Sequence, residues 1–435
     1  MTLSRPLRLV ATMWIVVGIA VSVRTLVRPH DHTVFPILAG GADHWWHDQP
    51  LYDDYKPLDY FRYPPAFAVF FTPLGLLGAR AGGVLWAWLS LAVYGAGLWA
   101  FARRVLPVRW SDARHAVFLA LGLFGGLRGL WNGQSNALAV GLLLLGAAAL
   151  VEHRRWAAAF LLAGAMTVKL TPLAPMLLLC VLWPRTLAPR CAVALALLTA
   201  LPFLTRSPAV VADHYREFAS HLRESAHERW PGFRDAWTVW QVVRQYGMGE
   251  GGIPWLKEPL DSPIYRGLQL LTAFVAFAWS LRLRWLGVPE RRLVTLTLTA
   301  GLAWLMLFGP AVEHATYVFL VPVLCWAVLE LGQGIGQRVL IGTAFALVMV
   351  LGWGGLTRPL LDALPLLLVA LPLGTAVFVM WLIRNGAEET TDAARVHVSR
   401  GINRVQFSVS GRTAATPSGE PASGRSHSNE LDTLG

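Results

Sequence analysis

The run Leu9-Val10-Ala11-Thr12-Met13-Trp14-Ile15-Val16-Val17-Gly18-Ile19-Ala20-Val21-Ser22-Val23 carries no charge and follows Arg5 and Arg8. No small-residue cleavage site comes after it. It therefore reads as a first transmembrane helix rather than a removable leader. Further apolar segments follow at roughly 82–102, 114–130, 134–151, 156–170, 172–184, 191–205, 264–283, 292–309, 316–332, 338–355 and 362–383, which makes twelve candidate spans beginning with 9–28. Several fall short of the ~20 residues that a full crossing needs. The segment Pro65–Leu77 reads either as a thirteenth span or as a surface helix beneath the first loop.

Composition agrees with a membrane solvent. Of 435 residues, 55% are hydrophobic and 14% charged, against about a quarter charged in soluble domains. Mean hydropathy is +0.49. Such a chain cannot hide its apolar surface in one water-soluble core, so lipid must solvate much of it. The formal net charge of +11 is not a nucleic-acid signal, because the arginines lie between apolar segments rather than along one stripe. Cys180, Cys191 and Cys325 sit in or beside apolar stretches without metal-ligand spacing and read as small apolar residues.

The arginines also orient the chain. Arg103, Arg104, Arg109 and Arg114 share one connection, Arg154 and Arg155 another, Arg185 and Arg190 a third, and Arg282, Arg284, Arg291 and Arg292 a fourth. With twelve spans and a cytoplasmic N-terminus all four fall inside, as cytoplasmic loops of membrane proteins require. Asp31–Tyr63, Trp131–Asn136, Lys169–Pro172, 206–262 and Glu313–Tyr317 then fall outside. The expected organisation is a membrane domain over 1–384, with a first outer loop 29–64 and a long outer loop 206–262. A cytoplasmic tail rich in Ser, Thr, Gly and Arg, residues 385–435, is expected to be disordered. The loop 206–262 is too long for a connector, and Ala236–Tyr246 suits an amphipathic helix on the membrane.

Polar chemistry gathers in the outer clusters. The first loop holds Asp31, Asp43, His44, His47, Asp48, Asp53, Asp54, Asp59 and Arg62. Most of these carboxylates read as solvated; one or two, Asp31 or Asp43, suit a general base at a cavity mouth. Asp43, His44 and His47 are a weak metal pattern. Arg62 before Tyr63-Pro64-Pro65 suits a phosphate contact at a stiff turn. Asn132, Gln134 and Asn136 offer hydrogen bonds to sugar hydroxyls, although Asn132 equally suits a cap for the next helix and Gly133 a turn. Lys169 ends an apolar segment, where a charge is costly, and suits an anionic head group. His314 can donate to a phosphate oxygen while Glu313 holds the ring's other nitrogen.

Taken in order, these motifs make the chain resemble glycosyltransferase family 87, the polyprenyl-phosphate-mannose-dependent mannosyltransferases. Asp31-His32-Thr33-Val34-Phe35 is similar to its Asp-x-x-Val-Tyr step and Pro50-Leu51-Tyr52 to its Pro-Leu-Tyr. Phe61-Arg62-Tyr63-Pro64-Pro65, Gly133-Gln134-Ser135-Asn136, Lys169-Leu170-Thr171-Pro172 and Pro310 with His314 continue the pattern over roughly 9–383. Two departures are the long interval from Asp31 to Pro50, which leaves Asp43 as an alternative base, and Glu313 before His314.

The resemblance implies an all-α GT-C bundle of about 12–13 transmembrane helices in the plasma (inner) membrane, active at its extracytoplasmic surface. It implies transfer of a hexose, mannose in this family, from a polyprenyl-phosphate sugar to a lipid or glycan hydroxyl with inversion. Asp31 would be the base, and Arg62, Lys169 and His314 would stabilise the departing phosphate. Tyr63, Asn132, Gln134, Asn136 and Glu313 would contact sugar or acceptor. No cofactor or divalent metal is expected. A polytopic transporter or lipid flippase using the same polar cavity is the alternative, for which paired broken helices in two repeats would be the signature.

Overall fold

The apolar segments become helices that run back and forth between two ends with opposite electrostatic character. We describe the chain from a computed structural model, over residues 3–31, 33–53, 60–225, 238–239, 263–309, 312–330, 334–351, 358–364, 367 and 369–385. All but residues 238–239 of the expected helix at Ala236–Tyr246, and the tail from 386 onward, lie outside them. There is no strand among the described residues.

In chain order the helices are α1 (Arg5–Val27), α2 (Phe35–Trp46), α3 (Pro65–Leu76), α4 (Gly78–Ala100, continued by a wider turn Phe101–Val105) and α5 (Asp112–Trp131). Next come α6 (Asn136–Val151), α7 (Arg155–Val168), α8 (Leu173–Leu182), α9 (Ala188–Ala200) and α10 (Pro208–Ser225). The rest are α11 (Pro263–Trp285), α12 (Glu290–Phe308), α13 (Val321–Leu329), α14 (Ile335–Phe345, with a wider turn Ala346–Val350), α15 (Arg358–Ala363) and α16 (Ala370–Asn385). Each of the twelve expected spans contains a helix. Four, Arg5–Val27, Gly78–Val105, Pro263–Trp285 and Glu290–Phe308, are long and apolar enough to cross a bilayer unaided.

One end of the bundle is tied by ion pairs. Arg103 reaches Asp112 at 3.1 Å, Arg104 reaches Glu152 at 2.9 Å and Arg155 reaches Glu290 at 3.3 Å. Trp110 Nε1 donates to Glu330 at 2.6 Å. The connections α4–α5, α6–α7, α11–α12 and α13–α14 therefore meet there, as the arginine pattern requires. At the other end Lys169, between α7 and α8, bonds Asn136 at the start of α6, and Asn136 bonds Ala315 between α12 and α13.

The segment Pro65–Leu77 is not a thirteenth span. α3 has twelve residues, about 18 Å of helix against a ~30 Å hydrocarbon core. It starts beside Tyr63, whose hydroxyl accepts from Ser135 Oγ at 3.1 Å. It stops at Leu77, and the positive φ of Gly78 (73°) turns the chain into α4. Trp86, early in α4, donates to Gly133 at 2.7 Å. Both ends of α3 thus lie on the Lys169 end, where it packs on α2 and α10.

α10 covers this layer. It buries Val211, Phe218 and His221 and exposes Asp213, Arg216, Glu217 and Glu224, an amphipathic division seven and three residues apart. Its Tyr215 donates to Thr199 at 2.8 Å, and His221 stacks on Tyr52. The buried Trp45 of α2 donates to Thr205 at 3.1 Å, and Arg206 pairs with Asp48 at 2.7 Å. The end of α9 is thereby fastened to the first outer loop.

Helices α4 and α6 approach closely because glycines face each other. A Cβ on Gly141 would sit 2.4 Å from the Val93 carbonyl oxygen, and one on Gly97 2.6 Å from the Gly141 carbonyl oxygen. Small residues are how membrane helices gain contact without a hydrophobic driving force. Gly141→Val is expected to cost roughly 1–3 kcal/mol or more by overpacking against backbone, read as a lower thermal midpoint in detergent. A second prediction concerns sidedness. With Cys180, Cys191 and Cys325 all buried, His30→Cys and His153→Cys should react with an impermeant maleimide from opposite sides of a sealed membrane. Labelling from the same side would refute the alternation.

Candidate active site

The turn between α5 and α6 organises the site. Asn132 closes α5, and Gly133 takes a left-handed φ of 64°. Gly133 N–H then returns to Leu130 and Gln134 N–H to Gly129, the double bond pattern of a glycine-terminated helix. Asn132 therefore ends its own helix and does not cap the next. The turn leaves three successive carbonyls pointing away from the helix, and each is used. Trp131 accepts from Arg24, Asn132 accepts from the Val34 N–H at 2.8 Å, and Gly133 accepts from Trp86. A Cβ on Gly133 would lie 2.7 Å from Thr33 Oγ1, so only glycine lets the first loop approach this closely.

Arg24, one turn before the end of α1, bridges two segments. It donates to the Asp31 carbonyl and to the Trp131 carbonyl, with its guanidinium 5.3 Å from the Trp131 ring centre. Asp31 is thus held at the α5–α6 turn through its backbone. Its carboxylate is exposed and lies 3.7 Å from Arg28. Asp43 sits on the exposed side of α2, where its carboxylate is 3.1 Å from His47. Its helix begins at Val34 and Phe35 beside the turn and runs away from it toward Thr205, so Asp43 lies about 12 Å along the axis from Phe35.

Asn136 is the junction of the other clusters. Its Oδ1 accepts from Lys169 Nζ at 2.6 Å, while its Nδ2 donates to the Ala315 carbonyl at 3.0 Å and to Gln134 Oε1 at 3.2 Å. Lys169 ends α7 in extended conformation, which turns its side chain toward α6. Burial lowers the Lys169 ammonium below the ordinary lysine range; Glu313 acts against that shift and Arg62 adds to it. Those influences place Arg62, Lys169 and Glu313 within electrostatic reach of each other. Tyr63 shares the wall: Tyr52 donates to its carbonyl at 3.0 Å, and its ring stacks on Phe67.

His314 faces an arginine that the sequence reading missed. Arg128, three residues before the end of α5, donates from Nη1 to His314 Nδ1 at 3.1 Å. Glu313 was expected to hold that nitrogen; Arg128 holds it instead. Burial first, and Arg128 second, push the imidazole down to about 3, so His314 is neutral near pH 7. It can donate a hydrogen bond to a phosphate oxygen but does not add a positive charge. Arg24 and Arg128 both lie inside expected spans, and that position was the available signal, since a charge within a membrane helix is a functional candidate by default.

The structure brings together Arg62, Tyr63, the Asn132–Asn136 turn, Lys169, Glu313 and His314, with Asp31 at the edge and Asp43 apart. Pro310 lies outside the described residues, as do His32, Asp54 and Asp59. Around Asn136 the cations Arg62, Arg128 and Lys169 come together with the carboxylate Glu313. Cations gathered in a partly desolvated region favour an anion. No cluster of three or more metal-ligating side chains occurs among the described residues.

The His314 shift has a consequence for stability. The unfolded chain takes a proton near pH 6.5 and the folded ring only near 3. Between those values the unfolded state binds more protons, so stability falls as pH is lowered. Thermal unfolding from about pH 7 to 4.5 should therefore fall more steeply for the wild type than for His314→Gln; parallel curves would contradict the burial of a neutral ring.

Comparison with known proteins bears on what this arrangement does. No curated protein matches the chain. Among solved structures, ArnT from Cupriavidus metallidurans, crystallised with undecaprenyl phosphate, is similar over 88% of this chain and 78% of its own, at 15% identity and a TM-score of 0.35. The family model for glycosyltransferase family 87 matches residues 61–310, more than half of the sequence. This stretch runs from Phe61 in the first outer loop through the α5–α6 turn and Lys169. The chain belongs to glycosyltransferase family 87.

Proposed function

We propose that this multi-pass membrane glycosyltransferase moves a hexose, mannose by resemblance, from a polyprenyl-phosphate sugar to a hydroxyl of a lipid or glycan acceptor. The observation that carries this reading is the gathering of Arg62, Lys169 and the Arg128–His314 pair around Asn136, at the end of the bundle opposite the ion-paired arginines. By the positive-inside rule that end is extracytoplasmic, and by resemblance to the family the membrane is the plasma (inner) membrane.

In the proposed reaction the acceptor oxygen attacks the anomeric carbon from the face opposite the phosphate. The bond from that carbon to the phosphate oxygen breaks, and the lipid phosphate leaves with the electron pair. Configuration inverts in this single displacement. Asp31 takes the acceptor's proton, being the loop carboxylate that Arg24 fastens to the α5–α6 turn. Charge grows on the departing phosphate, where Lys169 and Arg62 supply positive charge and His314 an N–H. The lowered Lys169 ammonium suits this role, because an arriving anion restores its proton affinity. Tyr63, Asn132, Gln134, Asn136 and Glu313 lie where they can orient sugar or acceptor.

Protein in liposomes, supplied with labelled polyprenyl-phosphate mannose and membrane lipids, provides the assay. Asp31→Asn should lose roughly 10²–10⁴-fold in rate, the usual worth of a general base, while Asp43→Asn stays within about 2-fold of wild type because its carboxylate is solvated and apart. Lys169→Ala should raise the donor KM as well as lower kcat. Full activity in Asp31→Asn with loss in Asp43→Asn would exchange the two roles. Absence of any transfer from polyprenyl-phosphate sugars would defeat the reading of the donor.

A further inference from the structure

We propose that Arg128 is a positioning residue: it holds His314 in the tautomer that carries its proton on Nε2, so that this N–H is available to the departing phosphate. The proposal rests on the functional reading above for the identity of the acceptor atom, but the tautomer itself follows from geometry alone.

A guanidinium has only donors and is charged at every accessible pH. Its Nη1 lies 3.1 Å from His314 Nδ1, so Nδ1 must offer a lone pair. A neutral imidazole has one proton, which is then on Nε2. A doubly protonated ring would set N–H against N–H and cation against cation. The low proton affinity of His314, caused by burial and by Arg128, agrees with this. Arg62 and Glu313 act on the Lys169 ammonium, in opposite senses.

Nε2 itself is buried and makes no hydrogen bond among the described residues. Leaving a buried donor unpaired costs roughly 1–3 kcal/mol, and native proteins seldom retain one without a use. Here the chain position supplies the use. Ala315, the next residue, is bonded by Asn136, which also bonds Lys169. The idle N–H therefore belongs to the same junction as the lysine. Arg128 is already committed to the ring, so its effect on a phosphate passes through His314.

Two measurements test this. Nitrogen NMR of histidine-labelled protein, with the His314 signals assigned by their loss in His314→Gln, should show a protonated Nε2 and a bare Nδ1 near neutral pH. In Arg128→Gln the ring should show a mixture of tautomers and titrate at higher pH. An Nδ1–H tautomer in the wild type would overturn the proposal. This arm stands even if the protein takes a different donor.

The second measurement is a kinetic cycle with the polyprenyl-phosphate donor. Arg128→Gln should lower kcat by roughly 10–100-fold, in the range of a lost oxyanion donor, with donor KM changed little, and Arg128→Lys should recover part of it. Glutamine at 314 offers an N–H with no tautomer to set. Adding Arg128→Gln to His314→Gln should therefore cost less than about 2-fold, the non-additivity of residues acting as a unit. An equal cost in both backgrounds would show that Arg128 acts on the substrate directly and would overturn the positioning role.

Discussion

The carboxamide of Asn136 holds three connections of the bundle at once. It accepts from Lys169 at 2.6 Å and donates to Gln134 and to the Ala315 carbonyl. Those partners come from the α7–α8, α5–α6 and α12–α13 connections. In a region of low dielectric an unmade hydrogen bond is expensive. Replacing Asn136 by an apolar group would therefore remove all three of these bonds at once. Asn136 can serve all three because an amide presents an acceptor and two donors from one planar group.

The two ends of the molecule handle charge in different ways. At one end the arginines meet carboxylates, so Arg103, Arg104 and Arg155 have Asp112, Glu152 and Glu290. These contacts knit connections together within an end that still carries an excess of arginine. At the other end Arg62, Arg128 and Lys169 share Glu313. Taking cations partly out of water is costly, and an anionic ligand would offset part of that cost.

The layer α2, α3 and α10 explains how a loop can be precise. Sequence reading treats 29–64 and 206–262 as loops, and much of what is described there is helical. Trp45 with Thr205, Arg206 with Asp48 and His221 with Tyr52 lock the two together. Arg24 then fixes the start of the first loop to Trp131. A base on such a loop is held by the scaffold rather than by its own flexibility.

The reading of the site was uneven for physical reasons. Lys169, Asn136 and Gly133 stand out because each breaks an apolar pattern at a helix end. Arg128 and Arg24 did not, because each lies inside a segment counted as a span, and a window of average hydropathy absorbs one charge. The contact of His314 with Arg128 is not legible in the sequence, where Glu313 is the neighbour on display.

The sequence by itself determined the membrane solvent, the helical character of the apolar segments and the clustering of polar residues between them. Those properties follow from the transfer free energy of side chains and from arginine placement, both of which are sums over local composition. Tertiary structure alone decided that Pro65–Leu77 stays on one side, that Asp31 rather than Asp43 lies by the α5–α6 turn, and that Arg128 faces His314. Each of these depends on how distant helices pack, and packing is set by pairwise shape and hydrogen bonding between residues as much as 220 positions apart.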